Sequence, residues 1–241
     1  MNISGPKSEY IRKVSSLLLD FSGCDAVELC LPNEGKYCKC TATRFPEQSY
    51  KFEIDSYIKE ESERTDGAPV DLTPLQRLSL DVLHGEPDTS APFFTKKGSF
   101  WTGNCDNHFL YGLRLNGNTY ERDLDISGPD LSLVLIPIKA SDEEIGFLWL
   151  KSEKRDCFGE EIVHLFEDVA QTLGIVQTFR ITHAALRERV KELTCLYDIA
   201  RVAEQPGISL EQLFQRIVEF LPPAWQYPEF ASSRIIFDEK I

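Results

Sequence analysis

The sequence predicts an α+β fold: an antiparallel sheet with helices on one face, followed by a long helix that pairs with another. Three observations carry this. Short β-type runs recur between Asp25 and Leu150, and the last two, LSLVLIPI and IGFLWL, are separated only by a tight turn, as antiparallel neighbours are. Amphipathic helical segments flank these runs on both sides, and each has an apolar stripe to bury. The stretch from Phe158 to Glu204 contains no proline and keeps a seven-residue apolar repeat, the pattern of paired helices.

The chain starts with a helix from Ser8 to Asp20, capped by Ser8, with Ile11, Val14, Leu17 and Leu18 on one face and Gly23 closing it. From Asp25 to Leu31 the residues alternate, with Val27, Leu29 and Leu31 on one face and Ala26, Glu28 and Cys30 on the other. Pro32-Asn33-Glu34-Gly35 is turn chemistry, so Lys36 to Phe45 returns as the second arm of a hairpin, and Tyr50 to Ile54 is a further strand. Glu60 to Gly67 is a polar connector. Thr73-Pro74 opens a helix whose buried face is Leu75, Leu78, Val82 and Leu83, and Gly85 ends it. GSFWT, at Gly98 to Thr102, is a short aromatic strand. Gly103 to Asp130 is long for a structureless loop and is either a lid or in part a hairpin.

In the long helix one seam position holds Ile162, Val169, Val176, His183, Val190 and Tyr197. The other holds Leu165, Thr172, Phe179, Leu186, Leu193 and Ala200. Phe166, Leu173 and Ile175 are apolar off the seam, so the first half has a second surface to bury, whereas the middle, Arg180 to Glu192, is charged off the seam. A break into two helices near Gly174 is the alternative. Beyond Pro206-Gly207, Leu210 to Leu221 is a second amphipathic helix, and Ser233 to Phe237 is a strand. This repeats the helix–strand opening of the chain, so 206–241 is expected to begin a second, truncated module.

The net charge of −13 argues against a nucleic-acid partner, and no run approaches the roughly 20 apolar residues of a membrane span. The N-terminus lacks the apolar core of a signal peptide, so a cytoplasmic address is expected, and seven cysteines without secretory context point to free thiols.

The order helix, hairpin, strand, helix, loop, LSLVLIPI at 131–138, EIGFLWL at 144–150 and a long helix resembles the PAS-related GAF domain family over residues 8–182. RERVKELTCLYDIARVAE, followed by FLPPAWQYPE, resembles the signalling helix (158–204) and second-module entry of bacterial and archaeal sensor histidine kinases. The resemblance implies a six-stranded antiparallel sheet with helices on one face and a small-molecule pocket on the other. It also implies a dimeric input module whose end helices lie on the dimer face and pass a signal to downstream modules of the same chain. Three sub-patterns of that family are missing: the Cys-His pair of bilin-binding members, the Asn-Lys…Phe…Asp-Glu signature of cyclic-nucleotide members, and the Gly-His-Ile and Ala-Cys-Asp pattern of free-methionine sulfoxide reductases. The cofactor therefore stays unknown.

Candidate ligand-binding residues are Phe94, Phe100 and Trp101, beside Phe93, with His108 and Tyr111 of the following segment, as the pocket wall, and Arg114 or His108 as polar anchor; the phenylalanines also suit plain core packing. Cys38 and Cys40 share one face of a strand, and Cys30 on the neighbouring strand could join them. Together they could sense oxidation or bind a soft metal, or they are small buried hydrophobes. The dimer interface is expected at Ile162, Leu165, Val169, Val176, Phe179, His183, Leu186, Val190, Leu193 and Tyr197. No catalytic residue is assigned, because Ser-His-Asp, HExxH, Walker and GxGxxG patterns are all absent. The expected function is a ligand-sensing module without chemistry of its own. A thiol-based redox or metal sensor, or a small cysteine-dependent redox enzyme on the same scaffold, is the alternative.

Overall fold

The computed structural model describes residues 6–33, 36–45, 49–57, 72–140, 143–225 and 227–237, so the polar connector at 60–67 lies outside it. The chain divides into two units, Met1–Val176 and Gln177–Ile241.

In the first unit α1 (Pro6–Ser22) leads into β1 (Ala26–Asn33), β2 (Lys36–Phe45) and β3 (Ser49–Tyr57). Then come α2 (Pro74–His84), β4 (Glu86–Pro87), β5 (Phe100–Thr102), β6 (His108–Leu115), β7 (Asn118–Asp125), β8 (Ser132–Ala140) and β9 (Glu143–Ser152). The long helix α3 (Glu160–Ala203) begins here and is continuous. Six strands form one sheet in the order β3-β2-β1-β9-β8-β5, with every pairing antiparallel. The remaining three form a small sheet, β4-β6-β7. This is the six-stranded antiparallel sheet that the resemblance implies, with α1 and α3 together on one face.

Alternation explains that face. Val27, Leu29 and Leu31 of β1 join Val134, Ile136 and Ile138 of β8 and Leu148 and Leu150 of β9 in one core. Ile11, Leu18 and Leu19 of α1 and Val163, Phe166 and Ala170 of α3 close it. β8 is buried on both sides from Ser132 to Ile138, which is why its sequence is a continuous apolar run rather than an alternating one. Gly174 does not break α3. A Cβ there would stand 1.9 Å from the carbonyl oxygen of Lys139, so glycine lets the helix lie directly on the end of β8.

On the opposite face α2 packs Leu78, Val82 and Leu83 against Leu133, Leu135, Phe147 and Trp149. The long segment before β8 resolves as the β6–β7 hairpin, turned by Asn116 (φ 52°) and Gly117 (φ 79°), the left-handed pair of a tight two-residue turn.

Three sequence expectations need correction. α1 starts at Pro6, so Ser8 lies inside the helix rather than capping it. Pro32 and Asn33 belong to β1, paired with Tyr37 and Lys36, because the ladder continues to the end of the strand; Glu34 and Gly35 lie outside the described residues. Residues 233–237 form no strand, because no partner strand stands beside them among the described residues. In the second unit this segment instead lies on α4 (Leu210–Phe220): the Phe237 ring is 5.3 Å from that of Phe214, and Ser233 Oγ donates to the Val218 carbonyl at 2.5 Å. Ser209 and Gln212 form a capping box at the start of α4.

Candidate functional site

Helix α2 brings polar groups onto the second face of the sheet. Its start is fixed by a capping box: Thr73 Oγ1 accepts from the Gln76 amide at 3.3 Å, and the Thr73 amide donates to Gln76 Oε1 at 3.0 Å. The turns that follow bury two polar residues among the leucines, Ser79 and Asp81. Ser79 Oγ donates to the Leu75 carbonyl at 2.9 Å and accepts from the Trp149 indole N–H at 2.9 Å. Asp81 accepts from the Tyr111 hydroxyl at 2.9 Å and from Arg122 Nε and Nη2 at 3.0 and 3.2 Å, which ties α2 to the β6–β7 hairpin.

Beside Ser79 lies a cavity of about 150 Å³ between α2 and the sheet, lined by Glu28, Lys39, Thr73, Leu75, Gln76, Ser79, Trp149 and Lys151. Glu28 sits between two ammonium groups, Lys151 at 3.1 Å and Lys39 at 3.6 Å, and all three side chains are largely buried. Lys151 Nζ also stands 5.6 Å from the centroid of the Trp149 ring. The floor is thus a rigid aromatic plane and a short charged row, suited to orienting a small polar molecule.

The six residues expected to bind ligand do not converge. Phe94, Phe100 and Tyr111 interlock with Phe93 and Phe109 in an aromatic cluster, with ring centroids 5.2 to 6.4 Å apart. Trp101 follows Phe100 on an alternating strand, so it packs against the other core, beneath α1 and α3. His108 and Arg114 point outward from β6, towards Asp123 and Glu86 respectively. The cavity residues were overlooked in sequence because the charged ones look like solvated strand positions. The available signal was Glu28, a lone carboxylate in an otherwise apolar strand, with Lys39 one diagonal step away across the hairpin.

The expected cysteine face also changes. Cys38 and Cys40 turn towards the first core, whereas Cys30 is buried in the second, because the register sets Cys30 opposite Lys39 rather than opposite a cysteine. Burial pushes the Cys24, Cys30 and Cys40 thiols up, and that of Cys105 up to about 11, away from the thiolate that redox and metal chemistry need. Among the described residues no three His, Cys, Asp or Glu side chains are grouped to hold a metal ion.

The seam side chains of α3 occupy a separate region. Val169 is half-buried, while Ile162, Leu165, Val176, Phe179, His183, Leu186, Val190, Leu193 and Tyr197 are exposed. No helix among the described residues is long and apolar enough to cross a membrane.

No family model and no curated protein matches this sequence. Solved structures similar to it include the type II free methionine-R-sulfoxide reductase of Thermoplasma acidophilum, 16% identical, covering 70% of this chain and 90% of that one at a TM-score of 0.39. The second GAF domain of DevS from Mycobacterium smegmatis is 12% identical, covering 74% and 98% at a TM-score of 0.40. The photoproduct state of GAF3 of Slr1393 from Synechocystis is 12% identical, covering 73% and 96% at a TM-score of 0.36.

Proposed function

We propose that this chain is a dimeric, cytoplasmic ligand-sensing module, the N-terminal input region of a sensor histidine kinase. In this reading residues 8–182 sense, 158–204 form the signalling helix and 206–241 open a second module. The carrying observation is the exposed seam of α3. Phe179, Leu193 and Tyr197 are 68, 65 and 65% exposed, in register with Leu186 and Val190 on a single uninterrupted helix. Burying each large apolar side chain against a parallel partner is worth roughly 1.5–3 kcal/mol, which the isolated helix forgoes.

The ligand would occupy the cavity beneath α2, contacting Gln76, Ser79 and the Lys39–Glu28–Lys151 row, with the Trp149 ring beside it. The module carries no chemistry of its own in this reading, in keeping with the burial that raises the Cys24, Cys30, Cys40 and Cys105 thiols. Sedimentation velocity tests the dimer. The native chain should sediment as a dimer, and Val190→Glu with Leu193→Glu should convert it to monomers by placing charge in the seam. A native chain already monomeric at high concentration would overturn the proposal. Native mass spectrometry of the same sample reads any retained ligand.

A further inference from the structure

A buried carboxylate on α3 is left unexplained by either core. The Glu167 side chain is only 1% exposed, yet it sits at the margin of an apolar layer. Its Oε1 accepts from Thr95 Oγ1 at 2.5 Å and from Ser99 Oγ at 2.7 Å, while Oε2 lies 3.0 Å from His164 Nδ1 and 3.9 Å from Lys97 Nζ. Burial alone would raise this carboxyl, but the Thr95 hydroxyl, His164, the Ser99 hydroxyl and Lys97 outweigh it and hold it below the ordinary range.

Thr95 and Ser99 are the two ends of one tight turn, in which the Thr95 amide donates to the Ser99 carbonyl at 2.8 Å and the Gly98 amide donates to the Thr95 carbonyl at 3.0 Å. The arms of that turn continue into Phe93, Phe94 and Phe100, the aromatic cluster on the α2 face. β5, the outgoing arm, is the edge strand of the main sheet. The turn therefore rounds the sheet edge, with its arms in one core and its tip on the helix of the other.

We propose that Glu167 couples the aromatic layer on the α2 face to helix α3, so that a shift of the 93–101 hairpin is felt by the helix chiefly through this buried carboxylate, beside the exposed Lys97–Asp168 pair at 2.8 Å. The coupling gives the proposed sensor its route around the sheet and rests on that reading for its purpose. Its test, though, requires neither ligand nor dimer, so the two can fail separately.

Hydrogen exchange of the full chain supplies the measurement. Phe93 touches Phe94, Phe100, Phe109 and Tyr111 rings, so Phe93→Leu or Phe93→Ala loosens the cluster at the base of the hairpin. Either variant should speed exchange of the 163–170 amides by about fivefold or more, the lower range for coupled sites, with the amides of β3, at the opposite edge of the sheet, unchanged. With the Lys97–Asp168 pair removed by Lys97→Ala, Glu167→Ala should leave the helix with no response to the Phe93 change. Glu167→Gln should restore the response, because its amide oxygen still accepts both hydroxyls. Should Glu167→Ala not fold, Thr95→Val with Ser99→Ala removes the same two bonds from the other side. Helix amides that ignore Phe93, or that respond equally with and without the carboxylate, would overturn the coupling.

Discussion

The two faces of the main sheet are buried to similar depth but by different means. Under α1 and α3 the contact is mainly aliphatic, from Val27 and Leu29 across to Leu148 and Leu150, with Phe158 and Phe166 among these residues. Under α2 the layer is aromatic, and within it lie the hydroxyl of Ser79, the carboxylate of Asp81 and the row of Lys39, Glu28 and Lys151. An aliphatic layer tolerates adjustment as long as volume is kept, whereas a polar network holds only while each member keeps its partners. The first face is built to carry load and the second to hold side chains in set orientations. That contrast is why the candidate ligand site is placed beneath α2.

The largest expected effect tests this directly. Asp81→Ala leaves the Tyr111 hydroxyl and the Arg122 guanidinium without their carboxylate and should cost about 3–5 kcal/mol, as loss of one member of a buried ion pair does. Leu148→Ala on the aliphatic face should cost about 2–5 kcal/mol through lost burial and cavity. Urea unfolding of both variants compares them. An Asp81→Ala chain as stable as the native one would end the claim that the second face depends on its polar partners.

A smaller effect is expected at Ser79. Alanine there strands the buried Trp149 indole N–H, a cost of about 1–3 kcal/mol, and the loss should appear as a changed Trp emission maximum together with a lower unfolding midpoint. An unchanged spectrum would mean that the indole needs no partner in that layer.

The smallest effect is on pH dependence and sharpens the exception on the first face, Glu167. Its carboxyl is held below its ordinary 4.5, so it contributes stability above that pH and loses it as pH falls through the lowered value. His164 runs the other way. Its hydrogen bond to Glu167 raises it above 6.5, so its contribution is full below 6.5 and disappears as pH rises through the raised value. Glu167→Gln should flatten both slopes in a plot of unfolding midpoint against pH. If the acid slope survives that substitution, other carboxylates are responsible for it.

Much of the scaffold was legible because local rules decide it. Alternation in β1, the Thr73-Pro74 helix start, the continuous apolar run of β8 and the uninterrupted heptads of α3 each reflect a backbone period or a cap, and a period is visible in one dimension. What the sequence determined by itself is therefore the helices and the main-sheet strands that carry a clear period, and which side of each is apolar. The β6–β7 segment stayed open between lid and hairpin, and residues 233–237 read as a strand but form none. Only the tertiary structure decided which of those sides meet. Register placed Cys30 opposite Lys39 instead of beside Cys40, and alternation on the edge strand β5 sent Phe100 and Trp101 into different cores. Thr95 and Ser99 reached Glu167 across roughly seventy positions of chain, a distance the hydrogen bonds span only after the sheet has formed. Pairings of that kind depend on how strands are ordered and how a turn rounds an edge, and no local preference of the residues involved encodes either one.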